Sequence, residues 1–349
     1  LSDMELGDYI IVEIPEGAAY AFMTIPKGFD ENEVIITDSA NVESVEPDWI
    51  LHEPELIGVY RGHCDGGRQL RSISGVVATH GNNISTTNTE WEYDGDGNLI
   101  SLVSPMSTIN WTMKDLSNAA AVRGSGYQLQ DYESWKDFAV MVMAITGTRD
   151  LQARCGIGFN GTGATSTGGY DQLNPQGFSQ YPSANGTPPK GNLLWGVQNY
   201  MGCGMEALDN VAVNINSWKL FKRNRCVDKP DDPRDGKWHI YNPNTKEVRV
   251  VQAVTTGNNY CIGKVRWGKH CDIVCSQSTS DSSVWNRHYT DSYEFSGERG
   301  RIPCHSHSYN YRQAGVVYVN AFYPSYQSYV CTGGRLCFRG PIIIDVSVA

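Results

Sequence analysis

Apolar residues recur at helical spacing in two stretches of the chain and in short alternating or β-branched runs elsewhere. In "DYESWKDFAVMVMAI", Trp135, Phe138, Val142 and Ile145 fall three or four apart, which predicts a helix with one buried stripe. Asp131 stands where an N-cap belongs, and Gly147 follows the end. The alanine-rich "TMKDLSNAAAV" predicts an earlier helix that stops at Gly124. The Met and aromatic residues of the second helix read as core, not as a cofactor box.

Residues 8–37 carry short β-branched and aromatic runs broken by Pro-Glu-Gly and Pro-Lys-Gly turns. They predict a β-rich lead-in, residues 1–49, packed on a main domain at 50–349. "PELIGVYRGHC" and "RQLRSISGVV" predict two strands joined by a "CDGGR" turn, and "YDGDGNLISLV" repeats the pattern. Asp94, Asp96 and Asn98 have the opening spacing of a calcium loop, but Leu99 occupies the glycine position and no glutamate closes it, so a hairpin turn is expected. Residues 156–192 form a long Gly/Ser/Thr/Pro-rich excursion, after which short strands run to the C-terminal region. Two helices set among early and late strands imply an α+β fold whose last strands return beside the first. Trp111, Trp135, Phe138, Trp195, Val317 and Val319 are its expected core.

Composition narrows the function. Aromatic residues make up 11% and charged residues only 19%, with 36 glycines, which suggests a loop-rich protein with Tyr and Trp at its surface. A formal charge of −10 argues against nucleic acid, which requires clustered Lys and Arg. The "KLFKRNR" patch from Lys219 to Arg225 reads as a solvated loop. No apolar run is long enough for a membrane helix and no signal peptide is evident, so neither spanning nor insertion is expected. Ten cysteines lack a repeating spacing and are expected to be mostly reduced. His270, Cys271 and Cys275 of "KHCDIVC" have no second ligand pair to complete a zinc site, so no metal is expected. Hydrolase, metalloprotease, phosphate-loop and dinucleotide motifs are all absent, and neither "GSG" at Gly124 nor "CGIGFNG" at Cys155 continues as a phosphate loop. No cofactor and no enzymatic activity are expected.

The densest signal is "HSHSYNYRQAGVVYVNAFYPSYQSYVCT", from His305 to Thr332. Two Tyr/Ser/His/Asn clusters flank a clean apolar segment, and that composition belongs to binding surfaces, where tyrosine gives a large rigid contact at small entropic cost. The expected contacts are His305, Ser306, His307, Ser308, Tyr309, Asn310 and Tyr311 in the first cluster. In the second they are Phe322, Tyr323, Ser325, Tyr326, Ser328, Tyr329 and Thr332, with Trp285, His288 and Tyr289 as additional contacts. His305 and His307 have strand spacing that a metal or acid–base pair could use, but their Ser/Tyr setting favours contact.

Several blocks carry a family resemblance. "ELIGVYRGHCDGGRQLRSISG", "INWTMKDLSNAAAVRGSGYQLQDYESWKDFAVMVMAITGTRDLQ", "LLWGVQNYMGCGMEALDNVAVNINSW", "AGVVYVNAF" and "GGRLCFRG" resemble, in that order, the blocks of the C-type-lectin-fold variable proteins of diversity-generating retroelements. Such proteins occur in bacteriophages, archaeal viruses and some prokaryotes. The order also resembles the formylglycine-generating-enzyme-like branch of that fold. "YQLQDYESWK" stands for its "RLPTEAEWE"-type block, "WGVQNYMGCGMEAL" for its "WGLxDMxGNVWEW"-type block, and "GGRLCFRG" for its "RGGSW … GFR"-type end. The resemblance covers about residues 50–349, and its specificity lies in the order of blocks.

The resemblance implies a C-type lectin fold with two helices, short antiparallel strands, long Gly/Ser-rich excursions and a variable region at about 285–340. It implies adenine-directed mutagenesis of that region, which turns an AAC codon into many residues but never Met, Gln, Lys, Glu or Trp. His305 to Tyr311 contains none of these, and Phe322 to Thr332 contains only Gln327. "AGVVYVNA" would be the constant strand between replaceable clusters. The implied protein is a diversified receptor or host-recognition protein that binds a protein or glycan on a target cell surface. It would be displayed on a virion tail or surface or on a prokaryotic cell, as a homo-oligomer or attached to a virion. The rival readings are a relative of the formylglycine-generating oxidase and a non-variable structural tail protein. The calcium motifs of sugar-binding lectins are missing, and Cys331 and Cys337 lie in the terminal block, where no catalytic role carries over.

Overall fold

A computed structural model describes residues 9–12, 19–20, 50–51, 55–64, 69–73, 76, 78–79, 91–93, 99–102, 111–146, 151, 155, 193–194, 196–201, 204–213, 221–222, 225–226, 237–242, 247–252, 260–267, 273–279, 292–295, 304–305, 315–316, 318–321 and 332–340. Both expected helices are present. Helix α1 is Met113–Ala121, and a reciprocal cap sets its start: Thr112 Oγ1 accepts from Asp115 N at 3.1 Å while Asp115 Oδ2 accepts from Thr112 N at 3.1 Å. Past its C-terminus the chain turns at Gly124, whose φ of 123° suits glycine. Helix α2 is Tyr132–Thr146, and Asp131 caps it by accepting from Ser134 N at 2.8 Å. Trp135, Phe138 and Val142 are fully buried, as their spacing predicts. The side chain of Ile145 lies outside the described residues.

A four-stranded sheet closes the fold. Its strands lie in the order Tyr9–Val12, Glu55–Gly58, Leu336–Phe338, Tyr127–Leu129. The late strand thus returns beside the early one, with Cys337 opposite Ile57 on one side and Gln128 on the other. Tyr9–Val12, from the lead-in, is antiparallel to Glu55–Gly58. Under this sheet Met113, Leu116, Ala119 and Ala120 of α1 pack with Leu70, Trp111, Leu129, Met205, Ala212 and Leu336. The helices, this antiparallel sheet and the mixed sheet described below make the protein α+β.

The expected hairpins form at Gly62–Cys64 with Leu70–Ser72 and at Trp91–Tyr93 with Leu99–Leu102. Three details differ from the sequence reading. "PELIGVYRGHC" is two strands, not one, because the carbonyls of Gly58 and Val59 accept from Arg335 Nη1 at 2.8 and 3.0 Å. The "KLFKRNR" patch contains a tight pairing of Phe221–Lys222 with Arg225–Cys226. The later strands are not all short, since Tyr260–Trp267 and Ile273–Thr279 have 8 and 7 residues. Trp111 joins the buried set at 7% exposure, while Trp195, Val317 and the side chain of Val319 lie outside the described residues.

Candidate recognition end of the seven-stranded sheet

A second sheet collects the segments that the sequence singles out. Its order is Ile273–Thr279, Tyr260–Trp267, Ser292–Phe295, Val319–Ala321, Cys304–His305, Met205–Ala207, Thr332–Gly333. Register places Tyr260, Tyr293, Val319, His305, Glu206 and Gly333 in one row across six strands. In the next row outward Cys261 faces Ser292 and Met205 faces Thr332.

Strand directions then decide where the clusters attach. Ser292–Phe295 and Val319–Ala321 run parallel, Cys304–His305 runs against them, and Met205–Ala207 is parallel to Thr332–Gly333. The chain therefore leaves His305, enters Val319, enters Ser292 and enters Thr332 all at the same end of the sheet. That end is where the first cluster departs and the second cluster returns. It is also where the segment bearing Trp285, His288 and Tyr289 arrives.

The row rests on a buried ionic clamp. Arg335, fully buried, donates from Nε to Glu206 Oε2 at 2.9 Å and from Nη2 to Glu206 Oε1 at 2.8 Å. Its remaining donors reach the carbonyls of Gly58, Val59 and Gln198. Each nitrogen of this guanidinium is therefore committed, and one face lies over Tyr200 with 5.4 Å from Cζ to the ring centroid. Burial, then the Glu206 charge, pushes the Tyr200 hydroxyl well above the usual tyrosine value. A second buried arginine, Arg61, has its Nε 3.6 Å from Glu206 Oε1, at ion-pair distance. Gly204 and Gly333 press on that guanidinium, and a Cβ on either would come within 2.8 Å of it. Gly204 of "GCG" and Gly333 of "GGR" leave room for Arg61, whereas Gly334 leaves room for Leu129.

A neighbouring cluster ties the closing strand to α2. Arg339, partly exposed, donates to Glu55 Oε2 at 2.9 Å and to Asp131 Oδ1 at 3.1 Å. Asp131 Oδ2 also accepts from Gln128 and Asn210, at 2.8 and 3.1 Å. Burial raises the Asp131 carboxyl above its ordinary value against the pull of Arg339. The Cys337 thiol donates to Glu55 Oε2 at 3.7 Å, and burial followed by the Glu55 charge pushes it well above the usual thiol value. Such a thiol is a weak nucleophile.

Of the expected contact residues, His305 lies in the row, with its backbone paired to both Glu206 and Val319. Thr332 requires a correction: it is 2% exposed, because helix α1 packs against the Thr332–Gly333 strand. Ser306, His307, Ser308, Tyr309, Asn310, Tyr311, Phe322, Tyr323, Ser325, Tyr326, Ser328 and Tyr329 lie outside the described residues, as do Trp285, His288 and Tyr289. Among the described residues no group of three or more His, Cys, Asp or Glu could hold a metal, and no helix is long and apolar enough to cross a membrane. Sequence reasoning missed Glu206, Arg335 and Arg61. The available signals were a lone glutamate inside the apolar "MEAL" and an arginine directly after paired glycines. No known protein-family model matches the chain, and no curated protein is significantly similar to it in sequence.

Proposed function

We propose that the protein is a non-enzymatic, diversified recognition protein with a C-type lectin fold, whose Tyr/Ser/His clusters bind a protein or glycan on a target cell. The observation that carries this reading is the convergence of chain entries and exits on one end of the seven-stranded sheet. The first cluster leaves the sheet there and its chain re-enters there at Val319, the second cluster starts beyond Ala321 at the other end and returns there at Thr332, and the 285–289 segment arrives there, so these segments are joined to one rigid row. Glu206 of the clamp lies in that same row, and both clamp side chains lie outside the clusters. Return of the last strand beside the first supports the lectin-type architecture.

Recognition works by burial of tyrosine and phenylalanine rings against the partner, with Ser, Asn and His exchanging hydrogen bonds at the rim. Single contacts of this kind are modest, and display of many copies on a virion or cell raises avidity. The oxidase alternative finds little support at Cys337, whose buried thiol is held protonated. The experiment replaces Tyr309, Tyr323, Tyr326 and Tyr329 together with serine and measures binding to a panel of prokaryotic cells by flow cytometry, with circular dichroism as the folding control. Lost binding with an unchanged melt supports the reading. An unfolded variant makes the tyrosines packing residues and removes it.

A further inference from the structure

We propose that Cys203 and Cys331 are joined by a disulfide that staples two parallel strands at one end of the seven-stranded sheet. The bond goes beyond the recognition reading and stands without it. Its basis is register. Met205 pairs with Thr332 and Glu206 with Gly333, and the two strands run parallel. Cys331 is bonded directly to Thr332, and Cys203 comes one residue before Gly204. Both cysteines therefore precede the first shared pair, at the same end and on neighbouring strands.

Covalent reach bounds their separation. Neighbouring strands lie about 4.8 Å apart and consecutive Cα atoms about 3.8 Å, while a disulfide spans roughly 4.4–6.8 Å between Cα atoms. Cys331 is one Cα step, and Cys203 two, from the directly opposed pair Thr332 and Met205. Cys203 is also tied from both sides, because Met201 two residues before it and Gly204 just after it are buried. Gly204, at φ 106°, bends the chain there, so the extra residue need not carry Cys203 a full strand step past Cys331. The strand cysteines have no such neighbour among the described residues: Cys64, Cys226, Cys261, Cys275, Cys304 and Cys337 each face residues other than cysteine. Cys64, Cys155 and Cys337 are free thiols.

The oxidant is a small disulfide. One cysteine thiolate attacks a sulfur of that molecule and expels one small thiol, and the second cysteine then attacks the mixed disulfide and expels the other. Two electrons pass from the protein to the small disulfide, and the two protein thiol protons end on the two released thiols. The ring so closed contains both Tyr/Ser/His clusters and Val319–Ala321, and its closure does not depend on their sequence. Long rings restrict the unfolded chain most, so the bond steadies the sheet whatever the clusters carry.

The test is peptide mapping of the full chain, purified without reductant, equilibrated with oxidised glutathione, alkylated and cut with trypsin. Cleavage after Lys190, Lys219, Arg312 and Arg335 puts Cys203 and Cys331 on two peptides that contain no other cysteine. Mass spectrometry should find these two peptides linked, lighter than their sum by two hydrogens, and separated by reduction. In thermal melts, reductant should lower the wild-type midpoint by a few degrees. Cys203→Ser and Cys331→Ser should each melt at the reduced wild-type midpoint with or without reductant. Both peptides alkylated as free thiols after glutathione treatment, or either cysteine linked elsewhere, would overturn the proposal. Single variants that still respond to reductant as the wild type does would overturn it too. Cell binding enters neither readout, so failure of the recognition reading would leave this result untouched.

Discussion

Arg335 grips Glu206 through two parallel hydrogen bonds of 2.9 and 2.8 Å, although 129 residues separate them in the chain. Both side chains are almost wholly buried, at 0% and 1% exposure, so neither charge can fall back on water. Removing one partner strands the other, and Arg335→Met or Glu206→Leu alone should cost about 3–5 kcal/mol. The double variant should recover only part of that loss, because buried Arg61 then loses the Glu206 carboxylate and the carbonyls of Gly58, Val59 and Gln198 lose the donors of Arg335. Chemical denaturation of the two single variants and the double variant measures it.

Trp135 joins α2 to the segment ahead of Val319–Ala321, since its indole Nε1 donates to the carbonyl of Val316 at 3.1 Å. Trp135→Ala should destabilise by about 3–5 kcal/mol, as large aromatic deletions do. Trp135→Phe keeps most of the apolar volume but leaves that buried carbonyl short of a donor, so about 1–3 kcal/mol is expected. Thermal melting that leaves both variants at wild-type stability would refute the packing described for α2.

Thr112 both accepts from Asp115 N and donates to Asp115 Oδ2 at 2.7 Å. Thr112→Ala should cost about 1 kcal/mol or somewhat more, and Thr112→Ser should restore most of it. Denaturant midpoints of the two variants are the measurement.

Acid should act through Glu133. Burial pushes its carboxyl up, but Lys136 at 2.6 Å and Arg249 at 2.6 Å outweigh that and hold it well below its ordinary value of 4.5. A carboxyl lowered by folding contributes stability above its unfolded value and loses it as pH falls toward the folded one. The stability gap between wild type and Glu133→Gln should therefore be full at neutral pH and shrink on acidification below about 4.5. Asp131 has the opposite sign, because its raised carboxyl contributes stability that is full below its ordinary 3.8 and lost as pH rises through the raised value. Melting curves of the variant and wild type across acidic pH separate the two. A gap that widens in acid would contradict the Glu133 assignment.

Local rules made the helices legible, because Thr112, Asp131 and the 135–138–142 stripe act within a few residues of themselves. The return of the last strand beside the first was also legible, from the order of helical and extended segments alone. The clamp was not. No periodicity links Arg335 to Glu206, and a buried ion pair announces itself only when both ends are seen together. The break in "PELIGVYRGHC" was hidden for the same reason, since it is caused by Arg335 taking the carbonyls of Gly58 and Val59. At the candidate end of the seven-stranded sheet, composition pointed to His305 and its neighbours, but it also drew in Thr332, whose burial depends on helix α1, far away in sequence.

Because Leu336–Phe338 is the strand that lies between Glu55–Gly58 and Tyr127–Leu129, the two early strands have no common neighbour until the ribosome has passed residue 338. Everything from 305 to 332 is polymerised before that gap closes. The 305–332 stretch is thus present during folding rather than added to a finished scaffold, and a sequence there that hinders closure leaves strand edges open on a nascent chain. Chaperones and proteases then act on it before the fold is complete. The position of one three-residue strand thus ties completion of the core to the last stretch of chain to be made.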